Sequence, residues 1–248
     1  ALNMRLNNKD DVSCFGLSDG SARFDVFGGV QPYSFLWSNG VVVEDARDLR
    51  AGWYYLQVTD RNGCVIRDSV EILEPAQLQA AVTGSISNTC NGGSDGVLLL
   101  TVTGGVPNYT YIWNNGSNEQ NPTGLAAGTY CVVVLDANNC NVDACGTVGA
   151  PAAVSITLAS KTNVGCTGQT NGSIDINVNG GTQFPGPPLF YEYRWTRDGV
   201  VYDTTSEDLA NLIAGVYCVT ATDRVGCTGT FCTTITQPTP VSVQIIAS

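Results

Sequence analysis

The sequence predicts an all-β chain built from three tandem antiparallel β-sandwich modules. Three observations carry that expectation. One fourteen-residue stretch occurs three times, at residues 51–64, 127–140 and 214–227, each running from Ala-Gly through an aromatic strand to Asp, a turn and Cys. Other landmarks keep a fixed step: Cys14, Cys90 and Cys166 are 76 apart, and so are the pairs Gly28-Gly29, Gly104-Gly105 and Gly180-Gly181. Self-similarity at such a period marks a repeat architecture. Finally, apolar residues alternate with period two (Tyr54, Leu56, Val58; Tyr130, Val132, Val134; Tyr217, Val219, Ala221), as half-buried strands require, and no helical period of useful length appears.

The modules are expected at residues 1–75, 76–151 and 152–238. Trp37 to Trp113 is 76 residues but Trp113 to Trp195 is 82, and Cys64 to Cys140 is 76 but Cys140 to Cys227 is 87. The third module therefore carries two insertions, 6 residues before its Trp and 5 after it. Residues 239–248 echo the start of module three and read as the first strand of a following repeat, so the chain is expected to be cut from a longer array.

Each module reads in the same order. A first strand leads to a Cys and then to Asp-Gly or Asn-Gly. Next comes an inward-facing set (Ala22, Phe24, Val26; Leu98, Leu100, Val102; Ile174, Ile176, Val178) that ends at Gly-Gly. An aromatic strand follows, from Tyr33, Tyr109 or Tyr191 to the Trp, and an irregular stretch reaches Leu49, Leu125 or Leu212. The Tyr strand, a hairpin turn and a last strand close the module at Pro75, Pro151 or Pro238. Short strands with turn signals every 8–12 residues indicate a sandwich. A Trp on a central strand and a Tyr before the final hairpin make it immunoglobulin-like. The joints are one or two residues around a Pro, too short for slack, and predict an elongated rod.

Eleven Lys and Arg against twenty-two Asp and Glu give a net charge of −11, with no His. Phosphate backbones and anionic lipid surfaces would repel such a chain, which argues against nucleic acid and membrane insertion as partners. No apolar run is long enough to span a bilayer and no signal peptide opens the chain, which is expected to be a mature or excised piece. Ten Cys at repeated positions favour disulfides in an oxidising, extracytoplasmic place over zinc, which would want CxxC pairs or His.

Without His, serine-triad and Cys–His mechanisms are absent. The adjacent acids Glu44/Asp45 and Glu207/Asp208 do not oppose each other across a cleft as glycoside cleavage demands. No catalytic residue is assigned. Asp60, Asp136 and Asp223 could offer oxygens to Ca2+, but the rest of a calcium loop is missing. Acceptance of backbone N–H bonds in the hairpin turn is the favoured role. The Trp residues could stack on sugars, yet their inward phase assigns them to the core. Better ligand contacts are the extra residues of module three, Phe184 with the Pro-rich 185–188 and Tyr202 with its acidic neighbours. Because the insertions flank one strand, they are expected at opposite ends of the module.

These residues carry a resemblance. Cys, Asp-Gly, Gly-Gly-x-Pro-Tyr-x-x-x-Trp, Leu-x-Ala-Gly-x-Tyr-x-Val-x-x-x-Asp-x-x-Gly-Cys and a closing Glu-Pro resemble the SprB repeat, in order, in all three modules. That repeat occurs in very large cell-surface adhesins of gliding Bacteroidetes and in related secreted proteins. The resemblance implies modules strung along a surface or secreted filament, exported by the type IX route, and no catalytic residues. The reading is a structural and adhesive segment that extends and presents, its partners being neighbouring repeats of the same long chain. The rivals are a carbohydrate- or protein-binding module with its site in repeat three, and a self-assembling extracellular fibre subunit.

The repeats also suggest a disulfide map. Module one has only Cys14 and Cys64, so these are expected to pair, and by equivalence Cys90 with Cys140 and Cys166 with Cys227. Cys131 with Cys145 and Cys218 with Cys232 are further expected pairs, because Tyr55 and Ser69 stand at both matching positions in module one. The Cys14–Cys64 pair meets one difficulty. In simple immunoglobulin topology the two ends of Cys14–Cys64 lie at opposite ends of the sandwich, a reach of about 20 Å that residues 14–19 could just cover.

Overall fold

The computed structural model describes residues 1–184 and 191–241, and every regular element among them is a strand. Residues 185–188 of the expected binding loop, and 242–248 of the expected following strand, lie outside the described residues.

Module one has six strands: β1 (Asn3–Asp10), β2 (Gly20–Phe27), β3 (Ser34–Trp37), β4 (Ala46–Leu49), β5 (Gly52–Thr59) and β6 (Val65–Ile72). They form two antiparallel sheets, β1-β2-β4 and β3-β5-β6. Between the sheets lie Phe24, Trp37, Leu49, Leu56, Val58 and Ile72, all at most 1% exposed. The Phe24 and Trp37 rings meet tilted, 5.8 Å apart. The alternation read from the sequence places these side chains inward, because successive strand residues face opposite ways.

Module two has β7 (Gln79–Ile86), β8 (Val97–Thr103), β9 (Thr110–Trp113), β10 (Gly128–Leu135) and β11 (Asn141–Val148), in sheets β7-β8 and β9-β10-β11. The short strand corresponding to β4 shrinks to one bridge, Gly96 with Leu125. Module three has β12 (Ser155–Thr162), β13 (Gly172–Asn179), β14 (Glu192–Arg197), β15 (Val200–Asp203), β16 (Leu209–Leu212), β17 (Gly215–Thr222) and β18 (Thr228–Ile235). Its sheets are β12-β13-β16 and β15-β14-β17-β18. β15 is the second insertion, folded back on β14 as an added edge strand. The first strand pair slips register at the same place in both outer modules, between Leu6 and Asn8 and between Leu158 and Ser160.

The contacts of the chain gather into two compact units. One comprises residues 1–84, 99–122 and 130–146, which is module one with most of module two. The other comprises residues 85–98, 123–129 and 147–248, which is the remainder of module two with module three.

Candidate functional site: a disulfide clasp at each joint

The hairpin turn between the last two strands of each module is built on a buried carboxylate. Asp60 is 6% exposed, Asp136 4% and Asp223 2%. One oxygen of Asp60 accepts the N–H groups of Asn62 (2.9 Å) and Cys64 (2.9 Å), and the other accepts the N–H of Val30 at 3.1 Å. Asp136 holds Asn138, Cys140 and Val106 in the same way at 2.9, 2.9 and 2.8 Å. Asp223 holds Val225, Cys227 and Thr182 at 3.0, 2.8 and 2.7 Å. Each carboxylate also presses on the second Gly of the Gly-Gly pair. A Cβ on Gly105 (φ +63°) would lie 2.7 Å from Asp136, and one on Gly181 (φ +59°) 2.6 Å from Asp223. That close approach, with its left-handed backbone, explains why glycine recurs there.

The Cys64 N–H, offset in part by burial and joined by Val30 and Asn62, holds the Asp60 carboxyl below its ordinary range. At Asp223 burial pushes upward, but the N–H donations together outweigh it and the carboxyl is again lowered. These oxygens are committed to backbone donors, so the turn role accounts for all three Asp residues. Among the described residues no group of three or more His, Cys, Asp or Glu is arranged to hold a metal ion.

The loop carrying the first Cys is equally constant. Leu17, Gly93 and Gln169 donate their N–H to the carbonyls of Cys14, Cys90 and Cys166, each at 3.1 Å. Gly16, Gly92 and Gly168 turn the loop at φ +78°, +75° and +80°. Asp19 accepts both the hydroxyl and the N–H of Ser13, and Asp95 those of Thr89. These bonds hold both carboxyls below the ordinary range. In module three Asn171 takes the Gly165 N–H at 3.1 Å.

The structure overturns three of the expected pairings. Cys14 does not bond Cys64 but Cys140 of the next module (S–S 1.97 Å, Cα–Cα 5.7 Å). Cys90 does not bond Cys140 but Cys227 (S–S 2.03 Å, Cα–Cα 5.5 Å). Cys166 does not bond Cys227, and both Cys64 and Cys166 are free and exposed. The reason is the geometry of β6. The Cys14 loop is fastened past the end of that strand, where Val12 donates to the Leu73 carbonyl at 2.9 Å and Gly16 to the Glu74 carboxylate at 2.7 Å. Cys64 sits before its start. Eight extended residues separate the two by roughly 25 Å. The turn of module two, by contrast, lies at that module's entrance, where Gly105 donates to the Ala76 carbonyl at 2.7 Å. The exit of module one thus meets the Cys140 turn, and Asn138 donates its side-chain amide to the Ser13 carbonyl at 2.8 Å.

The shorter pairs are different in kind. Cys131 is joined to Cys145 and Cys218 to Cys232, each 14 residues apart. Cys218 faces Cys232 directly across β17 and β18, as Tyr55 faces Ser69 across β5 and β6. They staple a hairpin within one module, whereas the clasps cross a joint.

The suggested ligand contacts separate. Phe184 is half-buried and lines a cavity of about 640 Å³ with Tyr191, Glu192, Tyr193, Arg194, Thr204, Thr205 and Thr222. Thr204 and Thr205 follow directly on β15, so Phe184 and the end of the second insertion lie together rather than at opposite ends of the module. β15 runs back along β14 and returns the chain to the end where the first insertion enters. Tyr202 does not line that cavity. Its ring meets Tyr217 edge-on at 5.5 Å and lies 6.0 Å from the Arg197 guanidinium.

The clasp partners were not legible from spacing. Cys14 to Cys140 spans 126 residues and Cys90 to Cys227 spans 137, a difference equal to the two insertions together. Pairing within each module would keep the same regularity, so spacing alone does not choose between the two maps.

No curated protein matches the chain. Among solved structures, the N-terminal eight immunoglobulin domains of Down Syndrome Cell Adhesion Molecule isoform 1.30.30 align at 13% identity and a TM-score of 0.40. That alignment covers 94% of this chain and 32% of the other. A structure concerned with host cell surface retention of a 1.5-MDa bacterial ice-binding adhesin aligns at 14% identity and a TM-score of 0.37, covering 97% and 99%. The family model described as the SprB repeat matches residues 6–42, 83–118 and 158–200. Each match runs from the first strand past the core Trp and includes the loop of the first Cys in its first half. The chain thus carries three segments that match the SprB repeat, one opening each module.

Proposed function

We propose that this chain is a load-bearing segment of a large cell-surface or secreted adhesive filament, in which sandwich modules extend and present adhesive surface and disulfide clasps limit how far the segment stretches. The observation that carries this reading is the overlap of the two clasp loops. Cys14–Cys140 and Cys90–Cys227 both enclose residues 90–140. Between Cys14 and Cys227 lie 213 residues of chain, but the shortest covalent path is the 50-residue overlap plus two disulfides. At about 3.5 Å per extended residue, the span reaches roughly 750 Å without the clasps and about 175 Å with them. Segments under tension benefit from such a stop, because unfolded modules cannot run out.

The finer reading follows the repeat class: attachment during surface gliding, type IX export, an extracellular setting and a non-enzymatic role. An oxidising location agrees with four disulfides in so small a chain. Single-molecule stretching tests the load-bearing role. Intact protein should stop short at the clasped length and lengthen several-fold on adding a thiol reductant. Equal extension with and without reductant would refute it.

A second reading rests on the cavity of module three, whose aromatic floor and acidic and basic rim suit a small polar ligand such as a saccharide. A glycan array comparing wild type with Phe184→Ala discriminates, since signals lost in the variant would assign the cavity a binding role.

A further inference from the structure

We infer that Cys64 and Cys166 are the two open halves of this same clasp, each reserved for a cysteine of another module of this kind. Cys166 is fitted to a hairpin-turn cysteine and Cys64 to a first-loop cysteine. This goes beyond the load-bearing reading, since it names a bonding site and its partner's chemistry whether or not the filament carries tension.

Two kinds of observation carry it. The first is that every equivalent cysteine is bonded. Cys14 and Cys90, the first-loop equivalents of Cys166, both hold a turn cysteine of the next module. Cys140 and Cys227, the turn equivalents of Cys64, both hold a first-loop cysteine of the module before. The pairing is always of unlike types and always in the same direction along the chain. The second is that the open halves are already shaped. The Cys166 loop has the Gln169 to Cys166 bond at 3.1 Å and Gly168 at φ +80°, matching both clasped loops. The Cys64 turn has the Asp60 to Cys64 bond at 3.0 Å, against 3.0 and 2.9 Å in the clasped turns, and Gly63 at φ +81°. Burial differs as unfilled halves require: Cys227 is buried and Cys140 half-buried in their joints, whereas Cys64 and Cys166 are exposed.

Each closure joins two thiol sulfurs and releases two protons and two electrons. A small-molecule disulfide such as oxidised glutathione accepts these and becomes two thiols. Head-to-tail bonds between unlike sites leave a fresh open half at each end of a linear product, so they extend an array unless the rotation between copies closes a ring.

The test uses the full chain. Cys64→Ser retains only the Cys166 thiol and Cys166→Ser only the Cys64 thiol. Incubated with oxidised glutathione, each variant alone should stay monomeric, and a mixture should give a disulfide dimer mapped to Cys64–Cys166. Like-with-like dimers as abundant as the mixed dimer would overturn the inference. Should the mixture give no dimer, a fusion placing a second copy of residues 76–151 after residue 238 decides it. Cys166 bonded to the appended copy's Cys140 supports the inference with the tether supplying proximity, and a Cys166 that still reacts with an alkylating reagent ends it. Mapping of Cys14–Cys140 and Cys90–Cys227 in the same samples separates failure here from failure of the clasps themselves.

Discussion

Modules one and three build the same hairpin with different means. In module one Tyr55 stands opposite Ser69, while in module three Cys218 and Cys232 occupy that register and are bonded. Module one leaves Tyr54 half-buried, whereas in module three β15 carries Tyr202 over the equivalent Tyr217, which becomes fully buried. Yet both Tyr hydroxyls donate to the carbonyl four residues earlier, Arg50 at 3.2 Å and Ile213 at 3.0 Å. Both Trp indoles likewise donate to an irregular-stretch carbonyl, Val43 at 3.1 Å and Ser206 at 3.0 Å. The staple and the extra strand are therefore additions to a sandwich that already satisfies its Trp indole and its Tyr hydroxyl. They adjust stability, and the clasps, which recur at both joints, set connectivity.

Breaking the staple should give the largest effect. Cys218→Ser with Cys232→Ser frees a 14-residue loop and should cost module three about 3 kcal/mol by chain entropy, with the sandwich intact. Denaturant unfolding followed by the fluorescence of Trp195 measures this, and a loss of native fluorescence in water would show that the staple is required for the fold. The reverse experiment installs it: Tyr55→Cys with Ser69→Cys should form a bond across β5 and β6 and stabilise module one by about 2 kcal/mol, since engineered bonds often deliver less than the entropic figure. Failure of that pair to oxidise would mean that the two hairpins differ beyond the residues exchanged. Tyr202→Ala should cost about 1.5 kcal/mol, because it removes an edge-on aromatic pair and uncovers Tyr217. The matching control is module one itself, which folds without β15.

The smallest difference is expected from acid. Asp19 and Asp60 in module one and Asp203 and Asp223 in module three all have lowered carboxyl pKa values. A carboxyl lowered on folding contributes stability above its unfolded value of about 3.9 and loses it as pH falls through the folded value. Melting temperature should stay level from pH 7 to about 4 and fall below that in both modules. A melting temperature that rises on acidification below pH 4 would refute the assignment of these carboxylates as N–H acceptors.

Much of this protein was decided by sequence alone. The inward phase of Phe24, Leu98 and Ile174, the buried Trp of each module and the Asp–Cys turns depend on side-chain alternation and on residues a few positions apart, so local pattern suffices. The facing of Cys131 with Cys145 also follows from strand register across one turn. The clasps belong to tertiary structure. Whether Cys14 meets Cys64 or Cys140 depends on which end of β6 the loop is tied to and which end of the next sandwich presents its turn. The cavity of module three is of the same kind, since only the backward course of β15 brings Thr204 and Thr205 beside Phe184. Spacing along a chain fixes how far a residue can reach, but the direction it is sent depends on how whole strands stack, and that is settled only when the sheets have packed.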